Sequence, residues 1–222
     1  MRFRAATYNV RNTDGGKSLD GIAEEIRGVN ADIIGLQELD RGVGRSGNAD
    51  LLDELSKRSG YENARFCRSI FFGGGEYGTG ILTSHKIIDS CVTKLPSSGE
   101  ARILTRFHIE INGSVICFYN AHLSLEDDAR KIQLELIASE FCGKQRAVLA
   151  GDFNISSFSE LAPFKSCNIA NFEGRSYTTF KAGRKIDNII TSPDIDIVSV
   201  FMSESEYSDH NMLVADLETV NI

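Results

Sequence analysis

Asp152 and Asn154, a carboxylate and a carboxamide two positions apart in Gly151-Asp152-Phe153-Asn154, directly follow the apolar run Ala147-Val148-Leu149-Ala150. That run reads as a short buried strand, and side chains two apart on an extended chain point the same way. Strand ends are where α/β sheets seat their ligands. The pair can therefore act on one object, the carboxylate taking a proton or holding a metal while the amide steadies an oxyanion. Read alone, the tetrapeptide is equally an Asp/Asn turn closing a strand.

The same kind of residue recurs where other strands are expected to end. Asn9 closes a first strand, and Glu38 follows Ile33-Ile34-Gly35-Leu36-Gln37. His122 follows Cys117-Phe118-Tyr119-Asn120-Ala121, and Asp209-His210 precedes the last strand. Each taken singly has an ordinary reading as a solvated or hydrogen-bonded surface group. Asp187, between isoleucines, is different, because a buried carboxylate needs a partner or a metal. Recurrence at so many strand ends argues for one shared site.

The elements that must position these groups are legible as strands alternating with helices, then a strand-rich middle. Strands are expected at Phe3–Asn9, Asp32–Gln37, Gly80–Ser84, Ile88–Leu95, Arg102–Ile111, Ser114–Asn120, Ala147–Ala150, Ile186–Thr191, Ile197–Phe201 and Asn211–Leu217. Helices are expected at Leu19–Gly28, with Ser18 as N-cap, at Asn48–Ser59 and at Ala129–Phe141. The last should bury Ile132, Leu136, Ile137 and Phe141 along one face. Asn112-Gly113 between two apolar runs is a strong hairpin signal. The glycine-rich stretch Phe71-Phe72-Gly73-Gly74-Gly75-Glu76-Tyr77 reads as a flexible connection between strands, or as a substrate lid or apolar contact. So many strands with few helices suggest two packed sheets with helices outside.

Composition narrows the function classes. The 222 residues fit one domain, 1–222, large enough to bury a core without disulfides or structural metals. A hydrophobic fraction of 41% and a charged fraction of 25% are those of an ordinary water-soluble protein. No run approaches membrane-spanning length. The start of the chain lacks a signal-peptide pattern, although a trimmed chain would look the same. Five scattered cysteines without a C-x-x-C pair argue against a zinc knuckle or a disulfide framework and suit a reducing cytoplasm. The net charge of −7, with no basic run longer than two residues, disfavours tight non-specific binding to nucleic acid.

Tyr8-Asn9, Leu36-Gln37-Glu38, Asn120-Ala121-His122-Leu123, Gly151-Asp152-Phe153-Asn154, Ile186-Asp187 and Ser208-Asp209-His210 stand in the order of the endonuclease/exonuclease/phosphatase superfamily. The chain resembles that group, and its bacterial metal-dependent hydrolase branch, from Asn9 to His210. The resemblance implies an α/β fold, the DNase I-like four-layered sandwich of two mixed β-sheets flanked by helices. It also implies divalent-metal-dependent hydrolysis of a phosphate ester. Asn9, Glu38 and Asp209 would hold Mg²⁺ or Mn²⁺ through hard oxygen ligands. Asp152 would orient and deprotonate the attacking water, and Asn154 would hold a phosphate oxygen. His122 and His210 would donate to the phosphate, with Asp187 setting the tautomer of His210.

Two arginines are further candidates for meeting the substrate. Arg102 stands where relatives often keep an arginine near the catalytic region, and a strand-edge surface position is the other reading. Arg45 lies in Asp40–Asp50, which resembles a loop of the bacterial branch and is otherwise a plain glycine-rich surface loop. One departure from the family pattern stands out. Many relatives have Gly-Asn-Ala where this chain has Gly78-Thr79-Gly80, so whatever orients His122 must come from another residue.

The leaving group is open in the sequence. Histidine at 122, the absence of tryptophan and the acidic charge lean away from an abasic-site nuclease. The expectation is a phosphomonoesterase or phosphodiesterase acting on a small or lipid-like phosphate ester. The alternative is a DNase-type endonuclease, and the remote one a non-catalytic binding domain.

Overall fold

The computed structural model describes residues 1–220. The first half runs β1 (Arg2–Asn9), α1 (Leu19–Val29), β2 (Ile33–Arg41), α2 (Leu51–Ser59), β3 (Asn63–Phe72), β4 (Gly75–Thr83), β5 (Lys86–Leu95) and β6 (Arg102–Ile111). It continues with β7 (Ser114–His122), α3 (Asp127–Phe141), β8 (Ala147–Asp152), β9 (Asn168–Ile169), β10 (Asp187–Thr191), β11 (Ile195–Ser203) and β12 (Met212–Thr219). Two six-stranded mixed sheets result, in the orders β11-β12-β1-β2-β4-β3 and β5-β6-β7-β8-β10-β9. Each sheet has one parallel pair at its centre, β1/β2 and β7/β8, and all other pairs are antiparallel. A parallel pair cannot be joined by a tight turn and needs a long crossover. Helices α1 and α3 supply those crossovers.

Three apolar clusters correspond to the three interfaces of a four-layered sandwich. Between the sheets lie Phe3, Ala5, Ile33, Ile81, Phe107, Ile109, Phe118, Val148 and Ile189. Outside the first sheet, α1 and α2 bury Ile22, Ile26, Leu51 and Leu55 on Tyr8, Ile34 and Leu36. Outside the second, α3 and the turn Phe158–Phe164 bury Leu134, Ile137, Phe141 and Phe164 on Tyr119 and Leu149. The expected fold therefore holds, with alternation along each strand splitting its residues between layers. None of the helices among the described residues is long and apolar enough to cross a membrane.

Alternation also decides which polar groups face inward. Asn9 shares parity with Phe3 and Ala5, His122 with Ile116 and Phe118, Asp152 with Val148 and Ala150, and Asp187 with Ile189. All four sit at strand ends on the inter-sheet side. The register places His122 beside Asp152 and Asp152 beside Asp187. Just below them, a buried polar network joins the sheets. Gln37 Nε2 donates to Asn120 Oδ1 (2.7 Å) and Thr7 Oγ1 (3.1 Å), and Asn120 Nδ2 donates to the carbonyls of Leu36 (3.0 Å) and Gly80 (2.9 Å). Replacing Asn120 with leucine strands these partners in the core. Stability should fall by about 1–3 kcal/mol for each group left unsatisfied, seen as a lower urea midpoint without a change of slope.

Several sequence-based expectations are corrected. Helix α3 starts earlier, and Ile132 and Leu136 are exposed, whereas Arg130, Gln133, Leu134 and Ala138 join Ile137 and Phe141 inside. The helix is turned so that two polar side chains close the loop after β7. Arg130 donates to the carbonyls of Ser124 and Leu125, and Gln133 bonds the Ser124 N–H, its hydroxyl and the Pro96 carbonyl. Buried loop backbone needs such partners. Ser18 occupies the N-cap position of α1 without a side-chain cap bond. The stretch from Asn63 to Phe72 is a strand absent from the expected set, and Phe71–Tyr77 is the tip of the β3–β4 hairpin rather than a loose connection. The glycines inside β4 hide it from pattern reading. A Cβ at Gly78 would lie 2.1 Å from the Cys67 carbonyl oxygen. The Asn112-Gly113 hairpin forms as expected, both residues having positive φ.

Candidate active site

The inward strand ends open into a cleft of about 440 Å³ whose walls include Glu38, Arg45, Arg102, His122, Asp152, Asn154, Asp209 and His210. Asp152 stands at its floor, buried. Its Oδ2 accepts from Asn9 Nδ2 (3.1 Å), and its Oδ1 accepts from the backbone N–H of Asn154 (3.0 Å). The imidazole Nε2 atoms of His122 and His210 lie 3.6 and 3.7 Å from the same Oδ2. Two ring nitrogens and a carboxylate oxygen thus converge on one point. Burial, followed by the charge of Asp187, pushes the Asp152 carboxyl up to about 7.

The histidines are held in opposite states. Burial first, then the positive charges of Arg102 and His210, drive His122 well below its ordinary value, so it is neutral. Arg102 Nη1 lies 3.1 Å from His122 Nδ1. A guanidinium only donates, so Nδ1 is the acceptor and the ring proton sits on Nε2, facing the cleft. For His210, burial opposes the charged form, yet Asp187 outweighs it and lifts the group to about 9. Its Nδ1 lies 2.9 Å from Asp187 Oδ2, and Phe180 packs on the ring with centroids 4.9 Å apart. His210 is therefore a charged donor, also through Nε2. Arg102 supplies the support for His122 that Gly78-Thr79-Gly80 lacks.

Glu38 reaches the cleft by a local irregularity. Parity would set it with Ile34 and Leu36, on the helix side of the sheet. The pairing of β2 with β4 shifts register between Leu36 and Leu39, and Glu38 adopts φ +61°. A β-bulge of this kind re-aims a side chain, and a non-glycine residue with positive φ is a strain that persists where surroundings enforce it. Asn9 Nδ2 donates to Glu38 Oε1 (3.0 Å). Burial raises the Glu38 carboxyl above the usual range, with nearby Asp209 adding to the rise.

Glu38 and Asp209 bring two carboxylates to one cleft, a hard-oxygen donor set of the kind a divalent cation takes. Asn9 departs from its expected part. Its Nδ2 is held by two carboxylates and its Oδ1 by the N–H of Arg11 (3.0 Å), so it orients Glu38 and Asp152 instead of offering oxygen to the cleft. Asp209 lies 3.5 Å from Arg11 Nε and is partly exposed. Ser208 anchors this segment, donating from Oγ to the Asn9 carbonyl (2.7 Å). Asp152, Asp187 and His210 also each present one possible ligand atom within 4.8 Å of the others. The His210–Asp187 bond already occupies one nitrogen there, and the charge on the ring opposes a cation.

The remaining expected residues line the cleft with differing freedom. Beyond the end of β8, Asn154 at φ +51° reaches it through a turn rather than by strand alternation. Its Nδ2 donates to the Leu123 carbonyl (3.0 Å), leaving one amide hydrogen. Arg45 forms a two-point pair with buried Asp40 (2.7 and 2.8 Å) and lies over the rings of Phe72 and Tyr77. Arg102, nearly buried, donates to Glu100 (2.6 Å) as well as facing His122. Pattern reading overlooked Arg184, which also lines the cleft. Its only sequence signal was its place two residues before Ile186-Asp187.

Residues 6–210 match the model of the Endonuclease/Exonuclease/phosphatase family. No curated protein matches the sequence. Among solved structures, an endonuclease/exonuclease/phosphatase from Beutenbergia cavernae superposes with a TM-score of 0.85 at 20% identity, covering 99% of this chain and 72% of that one. One from Bacteroides vulgatus gives 0.76 at 22% identity over 99% of both chains. The human Nocturnin catalytic domain, solved with a bound sulfate anion, gives 0.73 at 20% identity over 99% of this chain and 95% of that one. At these identities the structural likeness speaks to the fold.

Proposed function

This chain belongs to the endonuclease/exonuclease/phosphatase family, whose members hydrolyse phosphoesters, and we propose that it hydrolyses a small-molecule or lipid-headgroup phosphate mono- or diester with Mg²⁺ or Mn²⁺. The observation that carries this reading is the convergence of His122 Nε2 and His210 Nε2 on Asp152 Oδ2 at 3.6 and 3.7 Å. A neutral and a charged imidazole donor facing one carboxylate form a cradle for a phosphoryl group and an attacking water.

The residues divide the work as follows. Asp152 takes the proton of a water aligned with the phosphorus; its elevated value, near 7, makes it a competent base at neutral pH. The Nε2–H groups of His122 and His210 and the remaining amide hydrogen of Asn154 donate to the non-bridging oxygens as charge shifts. Asp187 keeps His210 charged, and Arg102 keeps His122 in its Nε2–H form. Glu38 and Asp209 would hold the divalent ion, with Asn9 orienting Glu38. Bound there, the ion supplies Lewis-acid stabilisation of the developing charge. A reducing, cytoplasmic setting is part of this proposal, on the cysteine pattern alone.

Glu38→Gln removes an anionic ligand while keeping the shape. The Mg²⁺ concentration for half-maximal activity should rise about tenfold or more, measured by titrating metal into chelator-treated enzyme. The nuclease alternative is separated by comparing plasmid nicking with phosphate or alcohol release from a panel of small esters, each with Mg²⁺ or EDTA. Release from small esters, abolished by EDTA, supports the proposal. Nicking without such release overturns it.

A further inference from the structure

Three guanidinium groups line the catalytic cleft, and two are already engaged. Arg45 is neutralised by Asp40 at two points, and Arg102 serves Glu100 and His122. Arg184 forms no ion pair among the described residues; its one side-chain hydrogen bond runs from Nη2 to the Asn154 carbonyl (3.2 Å). Its backbone is tied to the catalytic elements, since Phe180 N–H donates to its carbonyl (3.0 Å) and Phe180 also bridges to His210. The guanidinium is thus held at the site with its charge unspent.

Arg184 also lines a second hollow, of about 540 Å³, beside the cleft. Lys185 and the hydroxyl-bearing residues Ser156, Ser157 and Ser159 line it too, and Glu173 is its one carboxylate. Lys185 Nζ is hydrogen-bonded to Ser176 Oγ (2.9 Å) and pairs with no acid among the described residues. Two cations, one acid and three hydroxyls make a surface suited to an anion, in a chain whose net charge is −7. Sharing Arg184 makes the two hollows neighbours along one path.

We propose that Arg184 binds a second phosphate group of the substrate, seated in the serine-lined hollow while the scissile ester lies at Asp152. The substrate class is then a phosphate ester that carries a further phosphate. This rests on the phosphoesterase reading of the cleft and narrows it. Guanidinium pairs with phosphate by charge-assisted, often two-point hydrogen bonds, and a bond of that kind contributes about tenfold to a hundredfold in affinity.

Calorimetric binding of thymidine 3′,5′-bisphosphate, thymidine 5′-monophosphate and thymidine 3′-monophosphate tests this without needing turnover. On the wild-type protein the bisphosphate should bind at least about tenfold more tightly than either monophosphate. Arg184→Ala should remove that advantage, weakening the bisphosphate by a larger factor than either monophosphate, and Arg184→Lys should keep part of it. Thermal melts establish that both variants are folded, and either one alone suffices to read the preference. Equal binding of all three ligands by the wild type, no binding of any, or an equal loss for all three in both variants overturns the proposal. Hydrolysis of the 4-nitrophenyl ester of thymidine 5′-phosphate, with and without a 3′-phosphate, is followed on the same preparations. A bisphosphate preference without turnover of either ester refutes the phosphoesterase reading and leaves this site standing. Turnover without the preference does the reverse.

Discussion

Asp152→Asn should lower kcat by about 10³-fold or more, within or beyond the range set by losing a general base, and at the same time raise the stability of the fold at neutral pH. The two effects share one cause. The carboxyl is buried beside Asp187, and its value in the folded protein, about 7, lies above the ordinary 3.8. The folded state therefore binds the proton more tightly than the unfolded chain does. Stability from this group is fully present below about 3.8, declines as pH rises through the window to about 7, and is flat above it. Asparagine carries no charge to desolvate and still accepts from Asn9 or Asn154. Thermal melts should thus show the variant melting above wild type at pH 8, the gap closing as the pH falls towards 4. An inactive variant that melts lower at pH 8 would point instead to a damaged fold.

Asp187→Asn has the second large expected effect, a fall in kcat of about 10²–10⁴-fold. Asp187 does not line the cleft, and in the proposed mechanism it acts through His210, whose Nδ1 it holds at 2.9 Å and whose charge it sustains. An asparagine there can turn its NH₂ towards Nδ1, which makes that nitrogen an acceptor and leaves the ring neutral with its proton on Nε2, so the ion pair that sustains the charge on His210 is lost. His210→Ala should cost a similar factor. The double variant should be scarcely worse than His210→Ala alone, because the two residues act as one unit. Multiplying losses in steady-state kinetics would show that Asp187 has a separate role. Among the described residues the buried Asp187 Oδ1 has no hydrogen-bond partner of its own, so neighbouring donors do not compensate for the change.

Much of this site was legible because its logic is that of strand ends. Asn9, His122, Asp152 and Asp187 terminate or begin strands whose apolar alternation is plain, and that alternation turns all four to the inter-sheet side. Glu38 was found by its place after a strand, although strict alternation would have turned it to the helices; only the bulge at φ +61° brings it round. Such a bulge depends on how β2 meets β4, which no local pattern encodes. The same holds for α3. Ile132 and Leu136 lie on the stripe that helical spacing favours, but the carbonyls of Ser124 and Leu125 draw Arg130 inward, and the Ser124 N–H and hydroxyl and the Pro96 carbonyl draw Gln133. Arg102 was singled out as a substrate contact, whereas its place beside His122 Nδ1 is a matter of cross-strand geometry. Arg184 lay in plain view beside Ile186-Asp187, and what distinguishes it, the lack of an acid partner among the described residues, exists only once the chain is folded.

Hydrolysis of 4-nitrophenyl phosphate and bis(4-nitrophenyl) phosphate by the wild-type protein and Asp152→Asn, side by side with Mg²⁺, Mn²⁺ or EDTA, tests the central claim most directly. Metal-dependent release of nitrophenolate from at least one ester, absent with EDTA and reduced about 10³-fold or more in the variant, is the predicted result. Equal rates for the two proteins, or release that continues undiminished in EDTA, would contradict it.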